Sequence, residues 1–451
     1  MTSELLQQVR VLDPVSGTDR IADVLIRDGI IQSVEETLTE YPDETIVQNC
    51  QGLILGPGLV DLYSHSGEPG FEERETLASL MQAAGAGGFT RVAILPDTVP
   101  AIDNPAGVKW LKQKAEGRGQ KGEGRSQEPA SIQNSKFKIQ NSFPTPHTPY
   151  PTPSLHCWAA LTVGVQGQQM TELAELAAVE IVGFADGRPL NNLALVRRLL
   201  EYGRSLDKSI ALWANDTALA GNGVMREGQE SIRLGLPGVP AIAETVALST
   251  LLEIIEVTGT PVHLMRISTA RGVELIRAAK SRGIPITASS SWLHLLLNSE
   301  SIRTYDPNLR LDPPLGNPTD QAALLKALQE GVLDAIAIDH TPYSYEEKTV
   351  AFAEAPPGAI GLELALPLLW AALVETGTWS ALDLWRSLST QPARCLAQKP
   401  ATITPQQPAE LILFNPTYLW KVEGRTLKSL STNTPWLGQE IAGRVEKIWV
   451  P

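Results

Sequence analysis

Residues 54–70 read ILGPGLVDLYSHSGEPG. The stretch opens as an unbroken apolar run and ends in a polar turn, the form of a buried parallel strand whose last residues emerge at the sheet's edge. The same form returns in TRVAILPDT (90–98), LHCWAALTV (155–163), IVGFAD (181–186), SIALWAND (209–216), VHLMRIST (262–269), IPITASSSW (284–292) and DAIAIDH (334–340). Between most of these runs lie amphipathic helical patterns: ETLASLMQAAGAG, NNLALVRRLLEYGRS, AIAETVALSTLLEIIEVTG, TARGVELIRAAKSRG and TDQAALLKALQEG. Strand alternates with helix, so the sheet is parallel. Eight such units predict an α/β fold, a (β/α)8 TIM barrel over residues 57–397, with its chemistry on the loops that follow the strands. Two further apolar helical segments, LELALPLLWAALVETG and ALDLWRSLSTQPARCLA, complete the outer ring.

The chain ends have another texture. VRVLDP, ADVLIRDGIIQSVEE and TIVQNCQG before the barrel, and AELILFNP and IAGRVEKIWVP after it, alternate with period two between turn signals. Residues 1–56 and 398–451 are therefore expected to pair into one small β-sandwich-like domain. Residues 113–153 are rich in Gly, Gln, Ser and Pro and nearly empty of core-forming side chains. They read as a low-complexity, disordered insertion within the barrel, with a Pro-rich docking peptide as the alternative.

A formal net charge of −13 argues against nucleic acid or an anionic membrane surface as partner, since both would be repelled. Cys50, Cys157 and Cys395 are widely spaced and odd in number, which fits reduced thiols rather than a disulfide frame. No leader pattern and no apolar run of roughly 20 residues is found. A cytoplasmic location is expected.

The order of GLVDLYSHSGEPGFEERETLASLMQAAGAGGFTRVAILPDTVPAIDN, GVMREGQESIRLGLPGVPAIAE, ISTARGVELIRAAKSRGIPITA, LDPPL, AIDHTPYSYEEK and GAIGLELALPLL resembles the dihydroorotase family of the amidohydrolase superfamily. The resemblance covers nearly the whole chain outside the insertion. It implies two zinc ions on the C-terminal face of the barrel, held by four histidines and two aspartates. A metal-held hydroxide would attack a ring amide carbonyl, and the aspartate after the last strand would move the proton.

Matched position by position, the family's first-strand His-x-His is Tyr63 and His65, and its fourth-strand aspartate is Asp186. The fifth-strand histidine is Trp213, the sixth-strand histidine is Arg266, and the eighth-strand aspartate is kept as Asp339. The remaining ligand candidates are His65, Asp186 and Asp339, enough for at most one metal. Trp213 and Arg266 offer no lone pair, and a permanent cation at 266 would repel a neighbouring metal. The substrate-holding positions change as well. The arginine of the His-Leu-Arg-Glu-Pro-Gly pattern is Gly67, the asparagine of Met-Pro-Asn-Thr is Asp97, and Asn-Pro-Pro-Leu-Arg supplies Asp312 and Gly316. The last histidine of Asp-His-Ala-Pro-His is Tyr343. Loss of a bidentate arginine and gain of carboxylates both weaken anion binding.

Each residue also has a plainer role. His65, without a partner imidazole, suits a hydrogen-bonded strand end. Arg266 is expected to bridge Asp186 and Asp339, relieving the repulsion that departed metal would leave. Tyr63 and Trp213 are expected to fill the vacated volume. His263, three residues before Arg266, is expected in the core or facing a helix. His294 and His340 read as structural, His147 and His156 carry no signal, and GAGG (85–88) is a helix end rather than a phosphate loop.

Three functions follow as alternatives. The first is a non-catalytic family member with no cofactor, retained as a structural or assembly partner, with the aspartate transcarbamoylase catalytic chain implied by the resemblance and a homo-oligomer as a further expectation. The second is a cyclic amidohydrolase with a remodelled site, one zinc ion and Asp339 as its catalytic residue. The third is an ordinary dihydroorotase.

Overall fold

The computed structural model describes residues 3–115 and 150–451. The eight apolar runs form eight strands: Leu59–Ser64, Phe89–Ile94, Ser154–Ala159, Gly183–Phe184, Ser209–Trp213, Val262–Met265, Ile286–Ser291 and Ala335–Ala337. They pair in parallel, in chain order. The ring closes where Asp339 N–H donates to Tyr63 O (3.1 Å) and His65 N–H donates to His340 O (2.8 Å). The buried Asp61 carboxylate ties the same seam, accepting from Ile338 N–H and Ser64 Oγ–H. This is the (β/α)8 barrel that the strand and helix alternation requires.

The helices begin where the sequence supplies caps. Thr76 accepts from Ser79 N–H, Thr269 from Gly272 N–H, and Asn317 from Thr319 and Asp320 N–H with Pro318 in the first turn. Each such cap stabilises its helix by about 1 kcal/mol. The GAGG segment is the end of the helix Leu77–Ala86, with Gly87 as its cap and Gly88 at φ +88°.

Inside the barrel, small residues (Ala93, Ala185, Ala211, Ala335, Ala337) make room for large ones (Tyr63, Trp158, Trp213, Met265). Residue sizes complement one another across the barrel, so the interior is filled with side chains.

Both chain ends enter a single seven-stranded sheet. Leu411–Lys421 pairs antiparallel with Glu440–Trp449 and with Ile54–Pro57, which lies beside Ser3–Asp13. The barrel seats against this sheet through Trp370, Trp385 and Phe414, whose rings lie 5.6–6.4 Å apart. Residues 422–439, between the last two strands, cross to the C-terminal mouth of the barrel. There Asn433 Nδ2–H donates to Thr341 O, and its Oδ1 accepts from Tyr343 N–H.

The stretch expected to be a disordered insertion, 113–153, is ordered at both margins. Residues 113–115 finish the helix Pro105–Ala115, and the Tyr150 hydroxyl donates to Val445 O at 2.9 Å. Residues 116–149 of that prediction, His147 among them, lie outside the described residues. No helix among the described residues is long and apolar enough to cross a membrane.

Candidate functional site

The strand ends converge on a cavity of about 370 Å³ at the C-terminal mouth. Its floor is organised by Arg266. This residue follows the sixth strand in the left-handed region (φ +58°), and Asp339 follows the eighth in the same conformation (φ +52°). Both are conformations that a side chain disfavours, and here they aim the two groups at each other. Arg266 Nε–H donates to Asp339 Oδ2 at 2.8 Å and Nη2–H to Oδ1 at 2.6 Å, a two-pronged pair with Arg266 only 4% exposed. Nη1–H donates to Gly187 O at 2.9 Å. The guanidinium lies 4.7 Å from the Trp213 ring and 5.7 Å from that of Tyr63.

His65 completes the group. Its Nδ1 meets Asp97 Oδ2 at 2.8 Å, while Nε2 lies 3.0 Å from Arg266 Nη2 and 3.6 Å from Asp339 Oδ1. Burial resists charge on this ring, but Asp97 and Asp339 outweigh it and raise its pKa to about 9. Burial likewise works against the Asp339 carboxylate. The cations Arg266 and His65 prevail, holding it far below the usual carboxylate range.

Beneath this layer runs a hydrogen-bonded chain. Arg266 N–H donates to Tyr63 Oη, the Tyr63 hydroxyl meets Ser289 Oγ at 3.0 Å, and Ser289 Oγ meets His263 Nε2 at 2.8 Å. His263 is thus in the core, as expected, but it points to the barrel interior rather than to a helix. Counting alternate residues back from Arg266 misplaces it because the left-handed turn at 266 breaks the strand's alternation. Burial lowers the His263 pKa to about 3.

Three expectations for the site need correction. Arg266 does not bridge Asp186 and Asp339. Asp186 instead accepts from Leu161 N–H (2.8 Å), Thr162 N–H (3.0 Å) and the Thr162 hydroxyl (2.5 Å), held by the neighbouring third-strand loop. The three surviving ligand candidates therefore do not share one group: His65 and Asp339 meet at Arg266, whereas Asp186 is bound to Leu161 and Thr162 and does not line the cavity. Of the substrate positions, Gly67, Asp97, Asp312 and Tyr343 line the cavity, whereas Gly316 does not. A side chain at 316 would begin 2.6 Å from the Asp320 Cβ, and one at 67 would begin 2.4 Å from Glu75 O and 2.5 Å from Phe71 O. Backbone occupies the space in which a side chain at position 67 would start.

Metal has poor terms here. His65 offers no nitrogen aimed at open space, Asp339 is taken up by a guanidinium, and Tyr63 and Trp213 are a phenol and an indole. Among the described residues, no group of three His, Cys, Asp or Glu side chains is placed to hold an ion. The donor set does not fit the two-zinc arrangement that the resemblance implies.

Several cavity residues carried no signal in the sequence. Arg74 pairs in a fork with Glu347 (2.5 and 3.0 Å) and lies 4.0 Å over the Phe71 ring and 5.0 Å from that of Tyr343. Arg188 also faces the opening, as does His294, which reads from the sequence as a structural residue. Their spacing from the strand ends is irregular, so only the loop paths bring them in.

A closed parallel barrel with a sheet built from both chain ends, and a polar group gathered at its C-terminal mouth, is the architecture of the amidohydrolases. Over 100% of this chain it superposes on the L-hydantoinase of Arthrobacter aurescens, covering 97% of that protein at a TM-score of 0.79 and 18% identity. A family model described as dihydro-orotase-like matches residues 52–120. The chain is 44% identical to a probable dihydroorotase-like protein of Synechocystis sp. across 99% of both sequences. It is also 36% identical to a dihydroorotase of Pelobacter propionicus, across 97% of this chain and 96% of that one. This chain belongs to the dihydroorotase family.

Proposed function

We propose that this protein is a non-catalytic member of the dihydroorotase family, holding no metal and serving pyrimidine synthesis as a structural or assembly partner. One observation carries the reading: the Arg266 guanidinium grips Asp339 in a fork and abuts His65. The aspartate that would move a proton is thereby held as an ion-paired carboxylate, unable to accept one near neutral pH. The cationic group also sits where a metal would have to approach. The substituted carboxylate-binding positions, Gly67 and Asp97, support the same reading from a different part of the site.

The family resemblance points to the aspartate transcarbamoylase catalytic chain as the partner. Copurification of the full chain from its own cell tests this. Recovery with that enzyme is the expected result, and recovery without it defeats the partnership. Metal analysis together with dihydroorotate turnover tests the catalytic half. Zinc near one per chain with measurable hydrolysis would restore the remodelled or ordinary dihydroorotase, with Asp339 as catalytic residue.

A further inference from the structure

The outer helices of the barrel are not dressed alike. The helix Ala270–Ser281 and its surroundings are covered by ion pairs: Arg271 with Glu274 (2.6 Å), Arg277 with Glu330 (2.6 Å) and Arg282 with Glu256 (3.2 Å). That is the surface expected of a helix whose outer side meets water. The helices Leu193–Gly203 and Ile242–Thr258, which pack side by side, depart from it. On the second, Ile242, Val246, Ser249, Glu253 and Val257 recur every three or four residues and form one outward stripe. Val257 is 79% exposed, Ile242 53% and Val246 47%.

Two hydrogen bonds extend this apolar surface. Asn191 Nδ2–H donates to Thr217 Oγ1 at 2.7 Å, and Asp216 N–H donates to Ala243 O at 2.8 Å. They draw the start of the helix Leu193–Gly203, the short helix Thr217–Ala220 and the start of Ile242–Thr258 to one place. Leu193 (46% exposed) and Leu219 (38%) thereby join Ile242 and Val246. Aliphatic side chains gathered in one exposed patch mark an interaction surface, whereas scattered ones do not. Beside the patch, a groove between the two long helices is lined by the small residues Ala194, Ser249 and Thr250. Arg197 lines it from one helix and Glu253 from the other, so these two stand at the same height.

The charges say what covers this face. The first helix presents Arg197, Arg198 and Glu201, a positive surplus, while on the second Glu256 is taken by Arg282 and Glu253 stays on the outward stripe. A chain with a net charge of −13 repels its own copies over most of its surface, but not where a positive wall meets a negative one. We propose that this face is an isologous interface with a second copy of the chain. A two-fold axis running along the groove lays the helix Leu193–Gly203 of each copy over Ile242–Thr258 of the other at the same height. Arg197 then meets Glu253 twice, once on each side of the axis, and Leu193 of each copy lies over residues 246–249 of the other. The 17 residues of the longer helix span about 25 Å, and two helices side by side are roughly 20 Å wide. Two such faces together cover about 1,000 Å², the size at which a specific, reversible contact begins. The interface stands apart from the mouth and holds whether or not the site there binds metal.

Sedimentation velocity of the full chain across roughly 0.1–100 µM tests this, with a monomer–dimer equilibrium in the micromolar range as the expected result. Val246→Asp, at an exposed position, should weaken association about tenfold or more and leave the melting temperature of the monomer unchanged. Arg197→Glu and Glu253→Arg should each weaken it to a similar degree, since each sets like charges opposite one another. An equal mixture of these two variants should associate again, because every contact across the axis then joins opposite charges, and the variant carrying both changes should do the same alone. The proposal is overturned if the parent is a monomer throughout, if Val246→Asp and the single charge variants dimerise like the parent, or if neither the mixture nor the double variant regains association. A dimer insensitive to these changes lies on another face, and a monomer leaves this face to a different occupant; either result defeats the proposal.

Discussion

Two arginine forks hold opposite regions of this molecule. At the mouth, Arg266 meets Asp339 at 2.6 and 2.8 Å. Between barrel and sheet, Arg91 meets Glu410 at 2.6 and 2.7 Å, with Nη1 on Gln398 Oε1 and Lys399 O and with Thr90 Oγ1–H on the same carboxylate. The geometry is nearly the same, but the neighbours differ. Glu410 is surrounded by one cation and neutral donors, so the junction is a closed local weld. Asp339 is shared by two cations, and one of these also holds Asp97, so the mouth is a charge network in which each member depends on the others.

The largest expected effect is at the mouth. Asp339→Ala would leave Arg266 and a protonated His65 buried beside each other, and it should cost about 3–5 kcal/mol in urea unfolding. Glu410→Ala leaves Arg91 with carbonyl and amide acceptors, and it should cost less, about 1–3 kcal/mol. Equal losses would erase the distinction between network and weld. Replacing both Arg266 and Asp339 by Met and Leu should recover most of the loss seen for Asp339→Ala, since no buried charge then lacks its partner.

Gly67→Arg sharpens the same contrast. Because its Cβ would start 2.4 Å from Glu75 O, it should lower stability by about 1–3 kcal/mol without conferring dihydroorotate binding, as melting and calorimetry would show.

The effect that is smallest at any one step is a matter of pH. His263 titrates near 3 when folded and near 6.5 when unfolded. Between those values the unfolded chain holds the extra proton, so stability falls on acidification, by up to about 1.4 kcal/mol per pH unit. His263→Gln should flatten that slope in urea titrations over this window, whereas Glu410→Gln at the junction should leave it in place.

The eight strands were readable because a buried parallel strand must be apolar on both faces and must end at a turn. The site was readable only by position. Tyr63, His65, Trp213, Arg266 and Asp339 could be placed at the mouth by the order of the strands. Asp186 could be placed at a strand end but not aimed, since its partners on Leu161 and Thr162 belong to a loop whose path no periodicity encodes. Asp97 shows the reverse: it was legible as a carboxylate at a strand end, and its role as the partner of His65 was not. Arg188 and Asn433 had no pattern to betray them, and His294 was legible but read as structural rather than as part of the cavity wall.

The sequence by itself determined the barrel, the union of the chain ends and which strand-end side chains can offer a lone pair, because periodicity and residue chemistry are local properties. Only the tertiary structure decided which carboxylate Arg266 would take. That choice rests on two left-handed residues on different strands and on the competing hydrogen bonds of a third-strand loop. Charge pairing depends on distances of a few ångströms between residues 73 positions apart, and no local pattern records such distances.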